Sequence, residues 1–421
     1  MPASEDAAPA GTQSGAFVSL RTPAYRLLWI GGLFVFLAVT AQTIARGWLA
    51  RELTGTNAGL GGVLLAFGVP SLLLAPWGGV AADRLPKRTV LIVSQVMLTL
   101  SALWIGIAVT LDAVTYWMLL ATSAIQAAAF ALFAPARMAF TAELVDARDL
   151  TNAVSLGQMS AEGMRVVGPS IAGVLLAAGA VGEKVTFLGC AVLCAIATLI
   201  AFRLPRGDPA PGRPSRSPTQ EMLEGFRYVR RNHYLLLLVG ASLGVVMLGF
   251  PYMAFLPIVA DGMFDVGAGG YGLMSAVASV GAVSAALIAA QIGSRANLWR
   301  RMVIAGLCFG AGVVLLGLAP VFPVALIVLV GIGASSLLFQ TANQSLLLTL
   351  SDFEYHGRMQ GLVMLGFSGF GIAALPLGVL ADSIGLRQTL VIMGVVSALI
   401  MVAVAVRGRR HTVLSVARDF G

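Results

Sequence analysis

Twelve apolar stretches follow one another along this chain, separated for the most part by short polar gaps. They lie at about residues 25–50, 57–82, 89–111, 115–139, 151–180, 185–204, 235–260, 270–293, 300–320, 322–349, 359–382 and 386–406. A helix needs ~20 residues at ~1.5 Å each to cross the ~30 Å hydrocarbon core of a bilayer. Lipid offers no partner to a backbone N–H or C=O, so apolar runs of this length are read as helices. The fold class expected is an all-α integral membrane protein with twelve transmembrane helices. Composition agrees: 58% of residues are apolar and 11% charged, against about 25% charged in a soluble domain.

The basic residues test that count, because cytoplasmic loops collect Lys and Arg. With the N-terminus in the cytoplasm, all but six of the 27 Lys and Arg residues fall in cytoplasmic segments. Arg51, Lys184 and Arg387 fall outside, and Arg46, Arg137 and Arg165 lie within or at the edges of spans. A miscounted span in the first half would move every later loop across the membrane. Both termini are therefore expected in the cytoplasm. The net charge of +8 resides mostly in these loops, so the lipid bilayer is the expected partner and nucleic acid is not.

The longest polar gap, Pro205 to Asn232, divides the spans six and six. Its first part is rich in Pro and Ser; its second reads as an amphipathic cytoplasmic helix, with Thr219 as cap and Met222, Phe226 and Val229 on one face. The expected organisation is a disordered tail over 1–19, a six-helix bundle over 20–204 and a linker over 205–232. A second bundle covers 233–407, followed by a cytoplasmic tail over 408–421. Residues 1–19 do not have the form of a cleavable signal peptide, so the first apolar run is expected to be a true span. Cys190, Cys194 and Cys308 sit inside apolar runs without metal-type spacing, and no metal or cofactor is expected. There is no Gly-x-x-x-x-Gly-Lys-Ser/Thr loop and no nucleophile–base set, while His233, His356 and His411 lie near cytoplasmic loops. An enzyme, or direct use of ATP, is not expected.

The two halves echo each other. Phe133, Ala136, Arg137, Glu143 and Leu144 match Phe339, Ala342, Asn343, Thr349 and Leu350 at a constant offset, and Gly61 and Arg84 match Gly272 and Arg295. Between spans 2 and 3 stands Gly79-Val-Ala-Ala-Asp83-Arg84-Leu-Pro-Lys87-Arg88; its form returns as Gly378-Val-Leu-Ala-Asp382-Ser-Ile-Gly-Leu-Arg387 at an outward-facing loop. Such spacing suits nested inverted repeats and two pseudo-symmetric bundles rocking about a midplane site.

Twelve spans, a central cytoplasmic loop and Gly79-x-x-x-Asp83-Arg84-x-x-Lys87-Arg88 resemble the major facilitator superfamily, with Pro86 where that motif usually has its second glycine. The stretch from Phe133-Ala-Pro-Ala-Arg137 through Glu143 to Arg165-Val-Val-Gly168-Pro169-Ser-Ile-Ala-Gly173 resembles its third drug/proton antiporter branch, which includes siderophore, macrolide and multidrug exporters. The resemblance implies a conformational gate of Gly79, Asp83, Arg84, Lys87 and Arg88; Arg137, at the inner end of helix 4, is expected to join this gate with Glu143 or Asp146. Asp83 would contact Arg84 or Arg88 and the N-terminal end of helix 11, closing the cytoplasmic side; the alternative is that these charges only set topology. It also implies a bend of helix 5 at Gly168, Pro169 and Gly173, against ordinary small-residue packing. The family's mid-span arginine of helix 4 is missing, and Gln126 is the nearest polar residue at that depth.

Charges at depth are costly, at roughly 2.5–3.5 kcal/mol on insertion scales, so they rank the candidates. Arg46 lies about 31 Å along helix 1 and is expected to snorkel to the outer surface. Glu162 lies about 15 Å along helix 5, with Gln158, Arg165 and Pro169 on the same face. Glu162 and Arg165 form the expected proton-coupling pair; the alternatives are a structural pair, or binding of an anionic substrate by Arg165. The remaining expected substrate-binding residues are Gln42, Gln126, Gln158, Tyr252, Ser275, Gln340, Asn343, Phe367 and Phe370, with gate lining an equal reading for the Gln340–Asn343 face. The function expected is a proton-coupled exporter of an amphipathic small molecule in a bacterial inner membrane, and the family resemblance implies a monomer. A symporter or uniporter importing a nutrient, or a non-transporting receptor or scaffold, are the alternatives.

Overall fold

The computed structural model describes residues 17–146, 149–207, 218–292, 298–352 and 355–409, all helix, turn or loop. After a short 3-10 turn, Val18–Arg21, the helices are α1 (Pro23–Thr54), α2 (Asn57–Arg84), α3 (Lys87–Thr110), α4 (Tyr116–Leu144), α5 (Leu150–Leu176), α6 (Ala180–Ala201) and α7 (Pro218–Arg231). There follow α8 (His233–Leu248), α9 (Tyr252–Ile258), α10 (Gly267–Ile292), α11 (Leu298–Leu318), α12 (Phe322–Leu350), α13 (His356–Ile384) and α14 (Leu386–Arg409). Each of the twelve apolar runs is helical over most of its described length. Among the described residues, ten segments are long and apolar enough to cross a membrane, and α13 adds the shorter apolar run Gly369–Ile384.

Local chemistry fixes the ends. Pro23 opens α1, and Gly55 closes it in the left-handed region at φ 66°, where a side chain would be strained. Thr56 caps α2 by accepting from the Gly59 amide at 3.0 Å. The seventh span departs from the single helix expected over 235–260. It breaks after Leu248, turns through Gly249–Pro251, resumes as α9 and ends in a π turn, Val259–Met263. Pro251 supplies no N–H, and Pro257 removes another inside α9. The start of α6 also differs: it begins at Ala180 rather than near 185, so Glu183 lies in its first turn.

Helices α1–α6 pack among themselves, α1 on α5 and α6, α2 on α4, and α3 on α4 and α6. The later helices do likewise, α8 on α13 and α14, α10 on α12, and α11 on α12 and α14. The two sets meet chiefly along α2–α13 and α5–α10. These seams are backbone against backbone. A Cβ on Gly173 would stand 2.3 Å from the Gly272 Cα, and one on Gly61 would stand 2.6 Å from the Ala374 carbonyl oxygen. Gly61 and Gly272 are the pair matched by the internal repeat, and each touches the opposite half. Leu60, beside Gly61, is buried in the hydrophobic core of the C-terminal helices. With the basic loops taken as cytoplasmic, all these contacts lie in the outer part of the molecule. Near the inner end of α2, a Cβ on Gly79 would meet nothing within 4 Å.

The linker helix α7 docks beneath the C-terminal set. The Tyr228 hydroxyl and Asp352 exchange hydrogen bonds, Oη to Oδ2 and amide to Oη, both at 3.0 Å. The Tyr228 ring stacks on Tyr355 at 3.9 Å. Val229 is buried as its helical face requires, whereas Phe226 is exposed; the side chains of Thr219 and Met222 lie outside the described residues.

Closure of the outer end is expected to depend on Gly173. Overpacking costs about 1–3 kcal/mol, and in Gly173→Val the added atoms meet backbone that cannot yield. A cysteine at Thr43, exposed on α1 about one turn below the seam, should then react faster with a membrane-impermeant maleimide added outside. An unchanged rate would show that the seam tolerates separation without opening.

Candidate functional site

At the outer end, a carboxylate completes the seam. Asp382, at the end of α13, accepts from the backbone amides of Asn57 and Ala58 at 2.9 Å each, and from the Asn57 side-chain amide at 2.6 Å. These amides belong to the first turn of α2, where N–H groups lack helical partners and the helix dipole favours an anion. The repeated Gly-x-x-x-Asp form thus acts here as a cap supplied by one half to a helix of the other. Nearby, Arg51 of α1 pairs with Asp261 of the π turn at 3.9 Å, also across the halves, and donates to the Gly55 carbonyl. A cavity of about 580 Å³ opens beside this pair, lined in part by Trp48, Glu52, Leu176 and Glu183. Glu183 and Glu52 share a side-chain hydrogen bond.

At the inner end, the basic residues of the Gly79–Arg88 motif tie the N-terminal set together. Lys87 is buried and pairs with Glu143 at 3.0 Å. Arg88 donates to the Leu204 carbonyl at 3.2 Å and lies over the Phe202 ring. Arg84 is exposed, and the side chain of Asp83 lies outside the described residues. Arg137 is not the partner of Glu143: its guanidinium lies 5.0 Å from the centre of the Phe36 ring. A Cβ on Gly157 would stand 3.1 Å from it. The α4 helix places Arg137 toward α1 and α5, whereas Glu143 faces α3.

On α5, the two glycines have packing roles. A Cβ on Gly168 would stand 2.0 Å from the Thr40 hydroxyl of α1, and Gly173 abuts Gly272. Pro169 lies inside the helix without terminating it. Gln158 and Arg165 are exposed; the side chain of Glu162, like that of Phe367, lies outside the described residues.

The interior of the N-terminal set holds a group of buried polar residues. Gln42 and Arg46 lie one turn apart on α1, opposite Ser123 and Gln126 on α4, and all four are buried. Arg46 Nε donates to the Gln42 carbonyl and a terminal guanidinium nitrogen to Ser123 Oγ, each at 3.4 Å. Gln126 Nε2 donates to the Val39 carbonyl at 3.4 Å. Gln42 Nε2 and Gln126 Oε1 are buried without a hydrogen-bond partner. Arg46 therefore does not snorkel outward as its position along the helix suggested. It turns into the bundle, where an α4 hydroxyl and the α6 residue Cys190 face it.

The C-terminal candidates are more dispersed. Tyr252 is packed edge-on against Phe309 in the hydrophobic core, which removes its ring from a cavity wall in this state. Ser275 is buried and hydrogen-bonded to Tyr271 one turn earlier. Asn343 is buried with its Oδ1 unpartnered, Gln340 is half-buried, and Phe370 packs against the core. Sequence reasoning passed over Ser123 as a partner and Arg46 as an interior group. The signal available was the match of Gln42–Arg46 at i, i+4 with Ser123–Gln126 at i, i+3.

An all-helical span set, two halves touching through separable contacts at one end, and buried polar groups beneath that closure define a multi-pass secondary transporter. The chain belongs to the Major Facilitator Superfamily, whose profile matches residues 28–376. It is similar to the staphyloferrin A transporter of Staphylococcus aureus, 25% identical over 78% of this chain and 82% of that protein. It is also similar to the enterobactin exporter EntS of Escherichia coli O81, 24% identical over 72% and 71%. Among solved structures, an inward-facing, occupied bacterial homologue of the lysosomal transporter Spinster superposes with a TM-score of 0.74 at 14% identity, covering 92% of this chain and 97% of its own. The nucleoside transporter NupG gives 0.71 at 14%, covering 91% and 98%. At that identity these structures establish the fold.

Asp382→Ala leaves the first α2 amides without their cap, a loss of about 0.5–2 kcal/mol. The outer end should open more often, and the Thr43 cysteine reporter should label several-fold faster from outside. Equal labelling would mean that the glycine seams alone hold the closure.

Proposed function

We propose that this protein is a proton-coupled exporter of an amphipathic small molecule, of the siderophore, drug or metabolite kind, in the bacterial cytoplasmic membrane. The observation that carries this reading is the outer seal, made of one helix cap, one ion pair and glycine contacts, over the buried polar groups of α1 and α4. Each element is weak enough to break in a transport cycle, and each joins one half to the other, as alternating access requires. Two relatives are named for siderophores, one as a transporter of staphyloferrin A and one as an exporter of enterobactin; both favour a siderophore-like cargo, and the second favours outward movement.

In this reading Glu162 carries the proton and Arg165 modulates it. A carboxyl at that depth is charged or neutral according to whether its cavity is wet, so its state follows the conformation. Asp83 closes the inner side in the opposite state, at the N-terminal end of α13. An importer on the same fold differs in flux direction, since fold does not fix it.

Inverted membrane vesicles carrying the purified protein, energised by an imposed proton gradient and given a siderophore as test cargo, should accumulate it against its gradient. Glu162→Gln should abolish uphill accumulation and leave substrate exchange intact. Uphill transport by that variant at the wild-type rate would remove Glu162 from the coupling role; cargo moving in the same direction as the protons would turn the exporter into a symporter.

A further inference from the structure

We infer that Arg46, Gln42, Ser123 and Gln126 form a recognition site for a hydroxylated carboxylate on the transported molecule. This rests on the transport reading above and gives it a substrate class. A guanidinium has five N–H donors. In Arg46 the named acceptors are a backbone carbonyl and one hydroxyl, both at 3.4 Å, the far limit of a hydrogen bond. A buried charge is ordinarily paired, since leaving it unpaired costs several kcal/mol.

Among the described residues, no acid on the neighbouring helices stands level with it. Thr40 of α1 donates to the Met164 carbonyl of α5 at 3.0 Å, which fixes the register of those two helices. Arg46 lies about 9 Å further toward the outer end than Thr40, beside the stretch Ser170-Ile-Ala172, whereas Glu162 lies on the inner side of Met164. On α6, Arg46 faces Cys190, and Glu183 is about two turns further out. On α4, the residues opposite are Ser123 and Gln126.

The unpartnered atoms specify the ligand. Gln42 Nε2 is a donor and adds to the guanidinium and the Ser123 hydroxyl, so three donors suit an anionic oxygen pair. Gln126 Nε2 is engaged by Val39, which leaves Oε1 as an acceptor one turn of α4 from Ser123; such an acceptor suits a hydroxyl carried near the carboxylate. Planar carboxylate recognition is also what distinguishes Arg from Lys. In the outer-closed state Arg46 is 3% exposed. The site lies inside the N-terminal set, with Arg46 close to the level of the Gly173–Gly272 seam and Gln42 about one turn below it.

The test uses the full chain in nanodiscs of phosphatidylcholine, with thermal unfolding followed against added citrate. Tricarballylate, which has the same carboxylates without the hydroxyl, and tetraphenylphosphonium serve as controls. Citrate should raise the unfolding midpoint saturably, tricarballylate should act at higher concentration, and the cation should have no effect. Arg46→Gln should weaken the citrate response at least tenfold, Arg46→Lys should weaken it less, and Gln126→Leu should erase the difference between the two acids. An equal citrate response in wild type and Arg46→Gln, or none in wild type, overturns the site. If Arg46→Gln does not fold, Arg46→Lys and Ser123→Ala decide: unchanged concentration dependence in both overturns it. A response to phosphatidylglycerol in the nanodisc without one to citrate assigns the anion to a lipid headgroup and likewise overturns it. Because these are equilibrium measurements, citrate binding without proton-driven flux sinks the exporter reading alone, and flux without Arg46-dependent binding sinks this one alone.

Discussion

Backbone contact at the outer seams holds the observed state closed. Two helices can approach this closely where a glycine puts no side chain between them, and Gly173 against Gly272 meets that condition on both sides. The α2–α13 seam works the same way. Gly378 abuts the Asn57 carbonyl, where a Cβ would stand 2.6 Å away. That contact brings the next turn of α13 over the start of α2, and Asp382 is the residue on that turn. The cap is therefore a consequence of the glycine packing, and the small residues and the acid form one device. The strength of each contact is modest, which suits a closure that must reverse.

The two halves bring different interiors to this closure. The N-terminal helices bury Gln42, Arg46, Ser123 and Gln126 between α1 and α4. The C-terminal helices fill the corresponding part of their core with rings, Phe250 stacked on Phe309 at 5.0 Å and Tyr252 edge-on to the same ring. An aromatic interior holds its shape as a body while it moves. A polar interior with unpartnered groups leaves hydrogen bonds unmade that a ligand can supply. This division leaves unpartnered polar atoms in one half and rigid apolar packing in the other.

Much of the architecture was legible because lipid leaves the chain few options. All twelve apolar runs became helices, and the break in the seventh lay at Gly249 and Pro251, visible as residues but not as a kink. The internal repeat singled out Gly61 and Gly272, which are the seam glycines, and the Gly378–Asp382 echo marked the cap without naming what it holds. Arg46 was misplaced for a definite reason. Distance along a helix gives depth, and depth alone allows a long side chain to reach the surface. Which way the side chain turns depends on the neighbouring α4, whose Ser123 and Gln126 offer polar atoms. Arg137 illustrates the same point, since proximity in sequence suggested Glu143 while the helix directs the guanidinium to Phe36.

Hydropathy and charge were enough to specify a helical membrane protein with two related halves, because a bilayer requires every backbone group to be paired within its own helix. They also specified which loops carry the basic residues, and so the expected orientation. Which end is closed, which acid caps which helix, and that a buried arginine faces a hydroxyl and a backbone carbonyl emerged from the packed molecule. Those outcomes rest on the rotation and register of one helix against another. The apolar pattern does not encode them, since in lipid every apolar face is rewarded alike.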